Sequence, residues 1–304
     1  MRAFLLLSLL LTQPLAAATS CGFDKDALSF AGTPLEQARC LLRHVRPGGE
    51  LDPPLAALPA PLEEMIDRPV TIPVAAVRRY LAEHGIAEAE IGGSVSERLS
   101  RARNDAPDAP LARYFVIHDT SIPSLCEAES FPPEMDSPEW RWNRLEEYAN
   151  FPEAHLFITR DGRSVEAQGR TLGTPWRATK LERPCEDLRA KGLFLHIENV
   201  LPRRCEPDLA APPEWRCRRW DVLEAWWVCR NDRIGPEPGF SLAQMDRLAL
   251  VYVAASVRRG TWLIPAFHAA VDAGIPEAHD DPQNFDLALW AARVGRLVEV
   301  MMHP

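Results

Sequence analysis

Residues 114–120 read YFVIHDT, from Tyr114 through His118 to Thr120: an apolar, β-prone run that ends on a histidine and two small polar residues. A short continuous run of this kind, without polar alternation, is the pattern of a strand buried on both faces. It predicts a strand that presents His118 at a sheet edge. The pattern recurs downstream. Ala154–Ile158 (AHLFI), the turn Arg160-Asp161-Gly162 and Ser164-Val165-Glu166 predict a hairpin turned at Asp-Gly. Leu193–Val200 (LFLHIENV) predicts another strand, with His196 and Glu198 on one face because side chains alternate along a strand.

A long helix follows. Ser241 is placed to cap it, with Gln244 three residues on, and Leu242, Met245, Leu248, Ala249, Tyr252 and Ala255 predict its buried stripe before Gly260 ends it. Residues 262–290, WLIPAFHAAVDAGIPEAHDDPQNFDLALW, then carry the densest chemistry. Trp262, Leu263 and Ile264 lead a strand to His268, and Gly274 and Pro276 force a loop that returns His279-Asp280-Asp281-Pro282. Two imidazoles and several carboxylates on one loop are a donor set that zinc takes at catalytic sites, where three protein ligands leave a position for water. The third ligand must come from elsewhere in the chain. Strands interleaved with a long helix predict an α/β domain over residues 111–304.

Residues 22–110 read as a smaller helical module. Thr33-Pro34-Leu35-Glu36 is a capping box ahead of Ala38, Leu41 and Leu42, and Pro47-Gly48-Gly49 stops that helix. Pro73 opens a second helix that ends at Gly85, and Ser94–Glu97 has the pattern of a third cap. Pro53, Pro54, Pro59 and Pro61 mark a loop, and residues 104–110 (NDAPDAP) mark the boundary between the modules. His44 and His84 sit late in helices and read as solvated.

Residues 1–18 have a basic start at Arg2, an apolar core from Phe4 to Leu11 and an alanine-rich end, the pattern of a secretory signal. Eight or so apolar residues are too few to span a bilayer, and the sequence predicts no transmembrane segment. Export to the periplasm or medium is the expectation. Removing residues 1–18 takes away one base, Arg2, and no acid, so the net charge moves from −9 to −10. So acidic a chain lacks the basic field that nucleic acid binding needs. The seven cysteines (21, 40, 126, 185, 205, 217 and 229) read as a disulfide set. Ala18-Thr19-Ser20-Cys21 is similar to a lipobox that would anchor Cys21 to lipid, but Ala18 replaces the usual large aliphatic residue; a Cys21–Cys40 bridge is the preferred reading. Residues 201–238, rich in Cys, Trp and Arg, read as an insertion stapled by disulfides. Its Trp215, Trp220, Trp226 and Trp227 read as core before sugar platform.

The order of these pieces (YFVIHDTS, AHLFITRDG, HIEN, a long helix, then a histidine and a DP-containing loop) resembles the zinc-dependent N-acetylmuramoyl-L-alanine amidases related to phage T7 lysozyme and the peptidoglycan recognition proteins. The match covers about residues 111–290. It implies a mixed central β-sheet flanked by helices, bound Zn2+, and hydrolysis of the amide joining N-acetylmuramic acid to L-alanine in peptidoglycan or muropeptides. It also implies that His118, His268 and Asp281 are the metal ligands, that Glu198 is the general base and that His279 stabilises the oxyanion. The sequence departs from the family in DPQ for DPG, in a longer His268–Asp281 spacing and in His279 where lysine is common. Two alternatives stay open: His196 in place of Glu198 as base, and His279 in place of Asp281 as ligand. Two other functions stay open as well: a non-catalytic peptidoglycan-binding protein of the same fold, and a zinc hydrolase of another exported amide. His155 reads as structural or as an orienting neighbour, Asp119 as a turn former, and Asp272 and Asp280 as solvated loop carboxylates. Oligomeric state is not encoded in any pattern found.

Overall fold

The computed structural model describes residues 21–126, 130–182, 188–205, 233–276 and 278–303. The expected secretory signal, most of the expected 201–238 insertion with its tryptophans, and Cys185, Cys217 and Cys229 lie outside the described residues.

The described residues begin with a small hairpin, β1 (Phe23–Asp24) and β2 (Ser29–Phe30), followed by α1 (Pro34–Leu41), α2 (Ala60–Met65), α3 (Val74–Glu83) and the short turn α4 (Ala102–Asp105), in which Arg103 and Asn104 take left-handed backbone angles. Thr33 and Glu36 form the expected reciprocal cap on α1, and a disulfide joins Cys21 to Cys40. The cap expected at Ser94 opens no helix. Residues 94–97 make a turn closed by Glu97 N–H on the Ser94 carbonyl, and Ser100 N–H then donates to the Leu172 carbonyl, so the backbone pairs across the fold even though Val95, Leu99 and Ala102 keep a helical spacing and are buried. Glu97 instead accepts from Thr171 and Arg258. The proline-rich loop ends at Pro59, and Pro61 lies in the first turn of α2, where its missing N–H costs nothing.

Ten strands are described in all: β3 (Tyr114–Asp119), β4 (Ser124–Cys126), β5 (Leu156–Ile158), β6 (Ser164–Glu166), β7 (Phe194–Asn199), β8 (Arg203–Cys205), β9 (Arg233–Ile234) and β10 (Ile264–Phe267) follow the first two. The central sheet has the order β10-β3-β7-β5-β6; β6 is antiparallel and the other neighbours are parallel. It is a mixed sheet flanked by helices. Every residue of β3 and of β7 is buried, which is why β3 begins as an apolar run, Tyr114 to Ile117; β7 buries His196, Glu198 and Asn199 as well. Parallel pairing brings the C-terminal ends of β3, β7 and β10 to one edge. The register sets His118 opposite Glu198, and His268 follows the last residue of β10.

The long helix α5 (Leu242–Arg259) starts at a reciprocal Ser241–Gln244 cap and ends at Gly260, whose φ of +81° suits a residue without Cβ. Its buried stripe begins at Gln244 and Met245, so Leu242, expected inside, is 57% exposed. The Gln244 amide donates to the Val200 carbonyl and so ties α5 to the end of β7. The single turn α6 (His268–Val271) and α7 (Leu287–Met302) complete the chain. Tyr252 of α5 meets Trp290 of α7 edge to face at 5.2 Å. One cluster of buried apolar residues runs from Cys21 to Met301 and includes both the helical N-terminal part and the sheet. Residues 104–110 close on themselves, with Ala102 N–H on the Pro110 carbonyl and Ala112 N–H on the Ser100 carbonyl. The insertion begins and ends in the β8–β9 pair of a second sheet, β4-β8-β9, in which Cys126 and Cys205 occupy opposed positions. No helix among the described residues is long and apolar enough to cross a membrane.

Candidate metal centre

Three donors converge at the C-terminal edge of the sheet. His118 is the penultimate residue of β3, His268 opens α6, and Asp281 stands in the returning loop; all three are buried. The Nδ1 atoms of His118 and His268 are 2.9 Å apart. His268 Nδ1 lies 3.0 Å from one Asp281 oxygen and 3.2 Å from the other, and His118 Nδ1 lies 3.7 Å from Asp281. Donors about 2.1 Å from a tetrahedral zinc are separated by ~3.4 Å, so a triangle with these edges can share one zinc ion. Two imidazole nitrogens and one carboxylate oxygen turned toward one point also match the donor preference of that metal. His118, His268 and Asp281 therefore fit zinc.

Glu198 completes the arrangement. Its Oε1 lies 3.7 Å from His118 Nδ1, and its Oε2 is buried without a hydrogen-bond partner. Burial, then the Asp281 charge, pushes the Glu198 carboxyl well above the usual carboxylate range. Burial, then the His268 charge, holds the His118 imidazole well below its ordinary value. His268 behaves oppositely: against the effect of burial, Asp281 and Asp272 raise it well above the usual value. His196 is wholly buried behind His118, with Nδ1 3.1 Å from His118 Nε2. It does not face the donor triangle, and Glu198 does.

His279 is set apart from His118. Its ring stacks on His268 at 4.0 Å, and its Nδ1 donates to Asp272 Oδ2 at 2.9 Å. A second group of potential ligands, His268, Asp272 and His279, shares His268 with the first.

Three acidic residues read as loop or turn groups have larger roles. Asp272 has no exposed surface. It receives His279, the backbone N–H groups of Lys180 and Leu181, and a 3.0 Å approach from His268 Nε2. Against the cost of burial, these donors hold its carboxyl far below the usual range. Asp119 does accept from Ser121 as a turn former would, but it also pairs with Arg203 through Nη2 at 2.7 Å and Nε at 3.2 Å. Burial pushes Asp119 up to about 6 while Arg203 opposes the rise. Asp119 N–H donates to Asp281, and Gln283 N–H donates back to Asp119, so the metal loop is fastened to the end of β3. Asp280 is half-buried and accepts from Arg203 and Gln283.

His155 is structural. Its Nδ1 accepts the His196 backbone N–H, and its Nε2 donates to the Thr174 carbonyl. Burial lowers its imidazole to about 3. His84 stacks on Tyr80, and His44 lies by Asp52, both far from the centre in sequence and exposed. Sequence reasoning missed Arg203 and Glu182. Arg203 was hidden in the assumed insertion, and Glu182 precedes undescribed residues with no motif around it.

No protein-family model matches the chain, and no curated protein matches it either. Among solved structures, the crystal structure of an Se-Met AmpD derivative overlays with a TM-score of 0.33 and 18% identity, covering 66% of this chain and 94% of that one. A likeness of that size carries no inference about this chain.

Proposed function

We propose that the protein is an exported zinc hydrolase that cleaves the amide between N-acetylmuramic acid and L-alanine in peptidoglycan or muropeptides. The observation that carries this reading is the convergence of His118, His268 and Asp281 beside a buried Glu198 with an unpartnered oxygen. The substrate class rests on the order of motifs in the sequence, and export on the pattern of residues 1–18 with the Cys21–Cys40 bridge.

His118, His268 and Asp281 would hold zinc, which would supply an activated water and a Lewis acid for the amide carbonyl. Glu198 acts as the base: its Oε2, buried without a partner beside the donor triangle, is the atom placed to take a proton from water and return it to the leaving amine. His196 is held away from the reacting atoms by His118. His279 has Nδ1 committed to Asp272, so Nε2 is its atom for donation to the oxyanion when the ring is protonated. Arg203 and Asp119 keep the Asp281 loop in place.

Digestion of purified peptidoglycan by the protein, read by mass spectrometry with and without chelator and added zinc, tests the proposal. Free stem peptides that begin at L-alanine, lost with chelator and restored by zinc, are expected. Bound zinc with no release points to another amide, and neither zinc nor release points to a non-catalytic binding protein.

A further inference from the structure

His118 and His268 both turn Nδ1 toward the candidate centre, which requires each ring to carry its proton on Nε2. Both Nε2 atoms lead to a buried carboxylate. His268 Nε2 lies 3.0 Å from Asp272 Oδ2, off the N–H axis, and has no other partner. His118 Nε2 meets His196 Nδ1, and His196 Nε2 lies 3.0 Å from Glu182 Oε2, again with no other partner. The Glu182 and His196 side chains have no exposed surface.

The two carboxylates are anchored on the same five residues, Ala178 to Glu182. Asp272 accepts the N–H groups of Lys180 and Leu181 at 3.1 and 3.0 Å. Glu182 accepts the Thr179 hydroxyl at 2.9 Å and the N–H groups of Ala178 and Thr179 at 3.3 Å. None of these five residues belongs to the donor triangle. A carboxylate on the far nitrogen of a ligating imidazole fixes both its tautomer and its orientation.

We propose that segment 178–182, through Asp272 on one side and the Glu182–His196 pair on the other, sets the tautomer and orientation of both imidazole ligands. Asp272 and Glu182 are thus positioning residues. This rests on the metal-centre reading above, and it adds that one segment without ligands governs the affinity and geometry of the centre.

The test is metal binding, independent of turnover. Zinc affinity is measured by competition with a chromogenic chelator, and coordination by the visible absorption of the cobalt(II)-substituted protein, for the wild type and for Asp272→Asn, Glu182→Gln and Thr179→Val. Asp272→Asn is isosteric, so a role in filling space alone would leave the cobalt bands unmoved. The expected result is an affinity loss of about 10- to 100-fold for Asp272→Asn with displaced cobalt bands, and smaller losses in the same direction for the other two. Thr179→Val touches neither imidazole and keeps the test alive where a carboxylate variant fails to fold. Folded variants with wild-type affinity and spectrum, alongside a wild type that binds zinc through His118 and His268, would overturn this proposal alone. A wild type that binds no zinc would overturn the metal-centre reading and this proposal with it.

Discussion

Glu198 sits opposite His118 in the β3–β7 register with one oxygen lacking a partner, so its contribution is separable from metal binding. Glu198→Gln should retain zinc while kcat falls about 10²- to 10⁴-fold, the range of a lost general base. His196→Ala, if it alone reproduced that behaviour, would move the base to the neighbouring position. Arg203 and Asp119 form a buried bidentate pair, and removing one partner leaves an uncompensated charge. Arg203→Met should therefore lower the unfolding free energy by about 3–5 kcal/mol in urea titrations, and adding Asp119→Asn should recover part of it. That His118 and Glu198 stand near the ends of strands and that His268 and Asp281 flank a turn was legible in the sequence, while their proposed roles came from the family resemblance. Asp272, Glu182 and Arg203 were not, because their partners lie tens of residues away: Asp272 meets Lys180 across 92 residues and Arg203 meets Asp119 across 84.

At the scale of elements, the buried strands and the long helix were readable because burial on both faces and reciprocal capping leave direct marks on composition. Ser241 has two tasks: its hydroxyl accepts from Gln244 N–H at 3.0 Å and donates to the Arg160 carbonyl. Ser241→Ala should cost about 0.5–2 kcal/mol, read as a lower denaturant midpoint with unchanged slope. The Ser94 cap misled for a physical reason: the four-residue pattern states that a helix can start, but Glu97, which would complete the cap, is taken by Thr171 and Arg258, and the Ser100 N–H by Leu172. Leu242 was placed inside by period alone, but the first position of α5 lies ahead of the surface the helix covers.

For the whole molecule, acid should be destabilising in a defined window. The unfolded His155 imidazole takes up a proton near pH 6.5, but the buried one does so only near 3. Between these values the unfolded chain binds more protons, so this contribution is intact above pH 6.5 and declines as pH falls toward 3, by about 1.4 kcal/mol per unit. Urea unfolding across that range should show the slope, and His155→Gln should flatten it. The continuous core from Cys21 to Met301 couples the N-terminal helices to the sheet, a relation that the proline-rich sequence between them concealed. The central claim concerns one point in that assembly, and crystals soaked in zinc and measured on both sides of the zinc absorption edge test it most directly. The account predicts one anomalous peak about 2.1 Å from Nδ1 of His118, Nδ1 of His268 and an oxygen of Asp281, with Glu198 beside its open side. A peak held instead by His279 and Asp272, or none between His118 and His268, would contradict it.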